Sequence, residues 1–128
     1  MAIEGPLKLN VQIMRDSAPA IGPGKALVLE AIHRAGSISA AGRDLGMSYR
    51  RIWLLVESIN ASWCERAVDT RNGEGAKRGA CLTPFGQELL ARYRAMEQQM
   101  LQAAKGADFD WLIGAMASSS ISTTMPPD

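Results

Sequence analysis

Histidine and cysteine are scarce in this chain, which holds one histidine, His33, and two cysteines, Cys64 and Cys81. Neither cysteine belongs to a Cys-x-x-Cys pair. So few soft ligands at that separation exclude a structural zinc site, and no metal or cofactor is expected. The cysteines read instead as small core fillers with reduced thiols, and His33 as a surface or boundary residue. Charge of one sign is lacking as well: 14 Lys+Arg stand against 13 Asp+Glu, a net of +1. Bulk attraction to a polyanion is thereby excluded, and any nucleic-acid reading must rest on where the cations lie. No stretch approaches the ~18 consecutive apolar residues needed to cross a bilayer. The opening MAIEGPLKLNVQIM has neither a basic start nor the continuous apolar run of a signal peptide. A soluble cytoplasmic protein with no membrane partner is expected. No Ser-His-Asp set, carboxylate pair or phosphate loop is visible, which argues against an enzyme.

What is present is ordinary globular usage, with 47% hydrophobic and 21% charged residues over 128 positions. That suits one domain with a modest core. From residue 7 to 13, Leu7, Leu9, Val11 and Ile13 alternate with Lys8, Asn10 and Gln12, the period of a half-buried strand. Residues 16–24 (DSAPAIGPG) read as a Pro/Gly connector. Lys25 to Arg34 reads as a first helix with Leu27, Val28, Ala31 and Ile32 inward and Gly36 as its C-cap. Ser39 can cap a short second helix, Ala40 to Leu45, stopped by Gly46. Ser48 opens a third that reaches about Trp63. Helix, short helix, glycine-containing turn and longer helix are the parts of a helix-turn-helix. Arg66 to Thr70 and Ala80 to Leu82 then read as strands of a wing whose tip, GEGAKRG, is basic. Thr83-Pro84 starts a helix running to about Ala104. Residues 106–128 contain a short apolar cluster, FDWLIGAM, and a Ser/Thr/Pro tail expected to lack order beyond Ser118. The expected fold is therefore mainly α with a small β-wing: a winged helix-turn-helix over residues 1–105 with a long C-terminal dimerisation helix, followed by a partly disordered tail.

The third helix carries the functional signal. At about 100° per residue, Ile52, Leu55, Val56, Ile59 and Trp63 share one side, and Arg50, Arg51, Leu54 and Glu57 share the other. An outward leucine between arginines suits DNA, where an apolar side chain meets a thymine methyl and arginine meets guanine or phosphate. Ser48 and Tyr49 stand where hydroxyls and unpaired backbone N–H groups can bind phosphate. Lys77 and Arg78 at the wing tip can contact phosphates or enter a minor groove. Between Arg43 and Arg78 seven basic residues face five acidic ones, so affinity would gain from two copies acting together. Leu89, Tyr93, Met96, Met100 and Ala103 repeat at 4-3-4-3 spacing, a heptad seam on which two chains can pair. The expected partners are double-stranded DNA and a second copy of the chain, on a palindromic site. The alternative is a winged-helix protein-interaction module that does not bind DNA.

Residues 25–104 resemble the N-terminal domain of the molybdate-dependent transcriptional regulator (ModE) family. The pieces that carry the resemblance are GSISAAGRDLGMSYRRIW, ESIN, GEGAKRGACLT and TPFGQELLARY. LysR-type regulators come second, sharing Gly-Ser-x-x-x-Ala-Ala and Leu-Thr-x-x-Gly but usually reading Ser-Gln-Pro where this chain has Ser48, Tyr49 and Arg50. The resemblance implies a dimeric winged-helix regulator of genes, in well-known members those of molybdate uptake. By position, Ser48, Tyr49, Arg50 and Arg51 would begin the recognition helix and Gly73 to Gly79 would form the wing. The family's paired β-barrel modules that bind the oxyanion are expected to be missing, since 24 residues follow Ala104.

Overall fold

A computed structural model of the chain describes residues 1–71, 79–118 and 125–127. Two hairpins come first, β1 (Ala2–Glu4) with β2 (Leu7–Leu9) and β3 (Ile13–Arg15) with β4 (Ala18–Ile21). The single strand expected over residues 7–13 is thus broken. Leu7, Leu9 and Val11 are half-buried as the alternation requires, but the chain leaves β2 after Leu9 and Ile13 belongs to the next hairpin. Its turn is held by Asp16 at a φ of 54°, a conformation that aspartate tolerates better than most residues. The expected connector also contains a strand, β4, despite Pro19. In a two-stranded sheet every strand is an edge, so the missing N–H costs no pairing there. Ile21 at its end is fully buried.

Helix α1 (Pro23–Ala35) is central, packing against α2, α3, α4, β4 and β6. Pro23 fits the first turn, where its missing N–H is not needed, and Gly36 closes the helix at a φ of 78°. Ala26, Val28, Leu29, Ala31 and Ile32 face inward, and Leu27 does not: it is 42% exposed. With neighbours on several sides, α1 buries Val28, Ala31 and Ile32 as expected and Ala26 and Leu29 besides, while Leu27 falls on its open side with Gly24 and Arg34. Helix α2 (Ile38–Leu45) begins earlier than expected because Ser37, not Ser39, accepts the capping bond from the Ala40 amide. That start lets Ile38 enter the core. Helix α3 (Tyr49–Ser62) is capped by Ser48, whose hydroxyl accepts from the Arg51 amide at 3.2 Å. Strands β5 (Val68–Arg71) and β6 (Gly79–Leu82) pair antiparallel, with Val68 opposite Leu82. Helix α4 (Pro84–Ala104) and a short α5 (Ala107–Gly114) complete the order. The core is shared among Ile21, Leu29, Ile32, Ile52, Val56, Ile59 and Val68, each worth roughly 1.5–3 kcal/mol by burial. This is a winged helix-turn-helix with a long C-terminal helix.

Candidate nucleic-acid interface

The turn between α2 and α3 is tight, and the sequence supplies what it needs. Gly46 sits at a φ of 65°, and the Met47 amide donates to the Gly42 carbonyl at 2.9 Å. A Cβ on Gly42 would lie 2.8 Å from the Met47 carbonyl oxygen, so glycine sets how closely the turn lies on α2. Ile52, Val56 and Ile59 plug α3 into the core. Ser48, Tyr49, Arg50, Arg51 and Leu54 are consequently exposed together, Tyr49 at 55% and Leu54 at 54%. Arg50 lies one turn before Leu54, and Arg51 three residues before it, so the guanidiniums flank the apolar side chain. Among the described residues, side-chain cations are paired at Arg34, Arg66, Arg92, Arg94 and Lys105, not at Arg50 or Arg51. Glu57, also exposed, closes the patch one turn farther on. Tyr49 and Arg50 occupy the first turn, where backbone N–H groups point out of the helix end with its partial positive charge.

The wing is held to this helix by side chains that sequence reasoning passed over. Asn60, from the ESIN piece, accepts from the Ala67 and Val68 amides at 2.8 and 3.0 Å and donates to the Val68 carbonyl at 3.0 Å. It completes β5's edge as a strand would. The signal was available: an asparagine one position beyond the last core residue of a helix, shortly before a strand, can match both a backbone donor and an acceptor. On the other strand, the Ala80 amide donates to the Gly36 carbonyl at 2.9 Å, which ties β6 to the end of α1. Lys77 and Arg78, expected at the wing tip, lie outside the described residues. Cys81 points outward because Ala80 and Leu82 on either side point in, and Cys64 follows α3 on the surface. Both cysteines are exposed, contrary to their expected place in the core. His33 is exposed, as expected of a surface residue.

The Leu-Thr-x-x-Gly piece has a physical reason. The Thr83 hydroxyl accepts from the Gly86 amide at 2.9 Å and donates to the Arg66 carbonyl at 2.6 Å, while the Thr83 amide donates to the Ala67 carbonyl at 3.0 Å. A Cβ on Gly86 would fall 2.0 Å from that same Ala67 oxygen. Cap and glycine together press the start of α4 onto the base of the wing.

Farther along α4 the expected seam is redistributed. Tyr93 is 3% exposed, and its hydroxyl donates to the Val11 carbonyl at 2.6 Å, so it packs inside its own chain and not on an open seam. Glu97 and Leu101 continue this buried face, one turn apart. The Glu97 carboxylate accepts from Arg94 at 2.7 Å, and Arg94 also meets Glu30 of α1 at 2.5 Å. Leu89 and Met96 are half-buried, and Met100 is 42% exposed. The heptad spacing missed this because β1 and β2 lie across α4 and take the Tyr93 side of it. Among the described residues no cluster of three or more His, Cys, Asp or Glu could hold a metal, and no helix is long and apolar enough to cross a membrane.

No protein-family model matches the chain. It is 38% identical over 85 residues to the molybdenum-pterin-binding protein MopB of Rhodobacter capsulatus, covering 66% of this chain and 32% of that protein. It is 30% identical over 92 residues to the DNA-binding transcriptional dual regulator ModE of Escherichia coli K12, covering 72% of this chain and 33% of the regulator. The chain thus spans about a third of the length of these relatives. Among solved structures, its fold matches the DNA-binding domain of CbnR, a LysR-type protein solved in complex with DNA. That match has a TM-score of 0.51 at 20% identity, over 71% of this chain and 95% of the other. The winged helix-turn-helix described above is therefore similar in sequence to the ModE and Mop proteins, and in fold alone to a LysR-type DNA-binding domain.

Proposed function

We propose that the chain is a sequence-specific DNA-binding transcriptional regulator whose α3 enters the major groove. The observation that carries this reading is the exposed, apolar-centred cationic patch of α3. Leu54 stands out of the fold between Arg50 and Arg51, with no acidic partner for either arginine among the described residues. Leu54 would meet thymine methyls, Arg50 and Arg51 guanine edges or phosphates, and Ser48 and Tyr49 the phosphates at the helix start. Lys77 and Arg78, which stand between β5 and β6 in the sequence, would reach the adjacent backbone. Residues 1–105 would form the DNA-binding unit, with residues 106–128 beyond it. Two copies joined along the exposed part of α4, with Leu89, Met96 and Met100 at the contact, would place two α3 helices about 34 Å apart on a palindromic operator. The names of the relatives suggest genes of molybdenum handling as targets.

Replacing Arg50 and Arg51 together by alanine tests the reading. Duplex affinity should fall at least tenfold at moderate salt, and the slope of log affinity against log salt should flatten by about 2. Unchanged affinity and slope would instead favour a protein-interaction module, the reading that the near-neutral net charge of +1 supports.

A further inference from the structure

One exposed residue of the α3 patch opposes the charge of the rest. Glu57 stands one turn beyond Leu54, on the row that Arg50 and Leu54 begin. With Arg50 as origin and about 100° per residue, Leu54 lies roughly 40° to one side and Glu57 roughly 20° to the other. The three side chains thus run along the outer face of the helix, over about 10 Å of its axis.

Among the described residues nothing requires a carboxylate there. Positions three and four away on the helix are Trp53, Leu54, Asn60 and Ala61, none of them basic. Two cations from other elements reach this end of α3, and both bond elsewhere: Lys25 to the Ser58 hydroxyl at 3.0 Å and to the Pro19 carbonyl, Arg15 to the Ala61 carbonyl at 2.8 Å. Glu57 takes part in no ion pair among the described residues. It also lies well past the first turn, where the helix dipole would favour it.

Beside a phosphate backbone the charge is a cost, since it repels what Arg50 and Arg51 attract. The cost is offset where the carboxylate accepts a hydrogen bond from a base edge. Two bases offer an amine in the major groove. The adenine amine lies between two acceptors, its own N7 and the thymine O4, and both repel a carboxylate. The cytosine amine has an acceptor on one side only, guanine O6, and is the better match.

We infer that Glu57 is a specificity-determining residue that accepts a hydrogen bond from the N4 amine of a cytosine in the major groove. The inference rests on the regulator reading, with α3 lying along that groove, and names one letter of the operator. Glu57 is about 4.5 Å farther along α3 than Leu54, and a base pair rises about 3.4 Å. The cytosine therefore falls one or two base pairs from the thymine that Leu54 meets. The same charge weakens binding to every other sequence, so one residue raises discrimination from both sides.

The test selects bound sequences from a random duplex pool, with the whole chain and with Glu57→Gln, and measures both proteins on the selected and the random duplexes. The wild type should fix cytosine at one position of its site. Glutamine keeps the size but pairs a donor with an acceptor, so Glu57→Gln should replace that cytosine by adenine. It should lose about five- to tenfold on the wild-type site while binding random duplex more tightly. The urea midpoint should not move, because Glu57 is exposed. The same preference at every position in both proteins, or an equal gain of affinity on every duplex, would overturn the role of Glu57 and leave the regulator standing. A wild type that enriches no sequence would overturn both.

Discussion

Helices α3 and α4 both show an apolar stripe in sequence, and each was expected to offer one face to a partner. They behave differently. On α3 the core stripe is satisfied by Ile52, Val56 and Ile59, and the residues left outside are the arginines and Leu54. On α4 the stripe meant for a partner is in part already occupied: Tyr93 is buried within its own chain, on a face that Glu97 and Leu101 continue beside the expected seam. An apolar repeat states that a helix must be covered, not by what. A leucine on the polar side of a helix is more informative, because nothing in the fold requires it there.

The comparison makes α4 an element whose substitutions are read in stability and the outer face of α3 one whose substitutions are read in binding. Gly86→Ala should show the largest effect. Its Cβ would drive against the Ala67 carbonyl, and a loss of about 4 kcal/mol or more is expected in urea unfolding, far above an ordinary exposed substitution. Asn60→Ala comes next. It strands two fully buried amides, of Ala67 and Val68, at about 2–3 kcal/mol, and the wing amides should exchange faster than those of α1. If α3 and the wing base were independent, only the wing would respond.

Tyr93→Phe should cost about 1 kcal/mol near neutral pH through the lost bond to Val11. Its pH dependence is sharper than its size. Burial, with the Glu97 charge adding to it, holds the Tyr93 phenol above its ordinary 10.0. The neutral phenol is therefore the form that the fold favours. The stability it gives is fully present below pH 10 and is lost as pH rises beyond that, so the wild type should weaken at high pH in a step that Tyr93→Phe lacks. Leu54→Ala should have the smallest effect on stability, within about 0.5 kcal/mol, while lowering preference for thymine at one operator position a few-fold. A large loss of stability there would erase the distinction between the two helices.

Much of this was legible in the residues. Ser48 and Thr83-Pro84 marked helix starts that the structure keeps, because a hydroxyl cap and a first-turn proline act locally. The outward side of α3 was legible too, since 100° spacing fixes what faces away once the core side is known. What escaped was set by contacts distant in sequence. Ser37 displaced Ser39 as a cap because Ile38 belongs in the core, and Leu27 faces out because it shares the one open side of α1 with Gly24 and Arg34. The hairpins divided an alternating run because pairing, not periodicity, decides where a strand ends. The roles of Gly42, Asn60 and Gly86 each depend on a backbone group that only the assembled fold brings near.

The bond from the Ala80 amide to the Gly36 carbonyl has a kinetic consequence. An isolated two-stranded hairpin is marginal in water and opens readily. Here its base is also bonded to the C-cap of the central helix, so opening it breaks that bond as well. Hydrogen exchange at Ala80 should therefore follow global unfolding, with the protection of the α1 core and not that of a surface loop. On that outcome the arm of the wing would open with the slowest unit of the molecule and not as a surface loop.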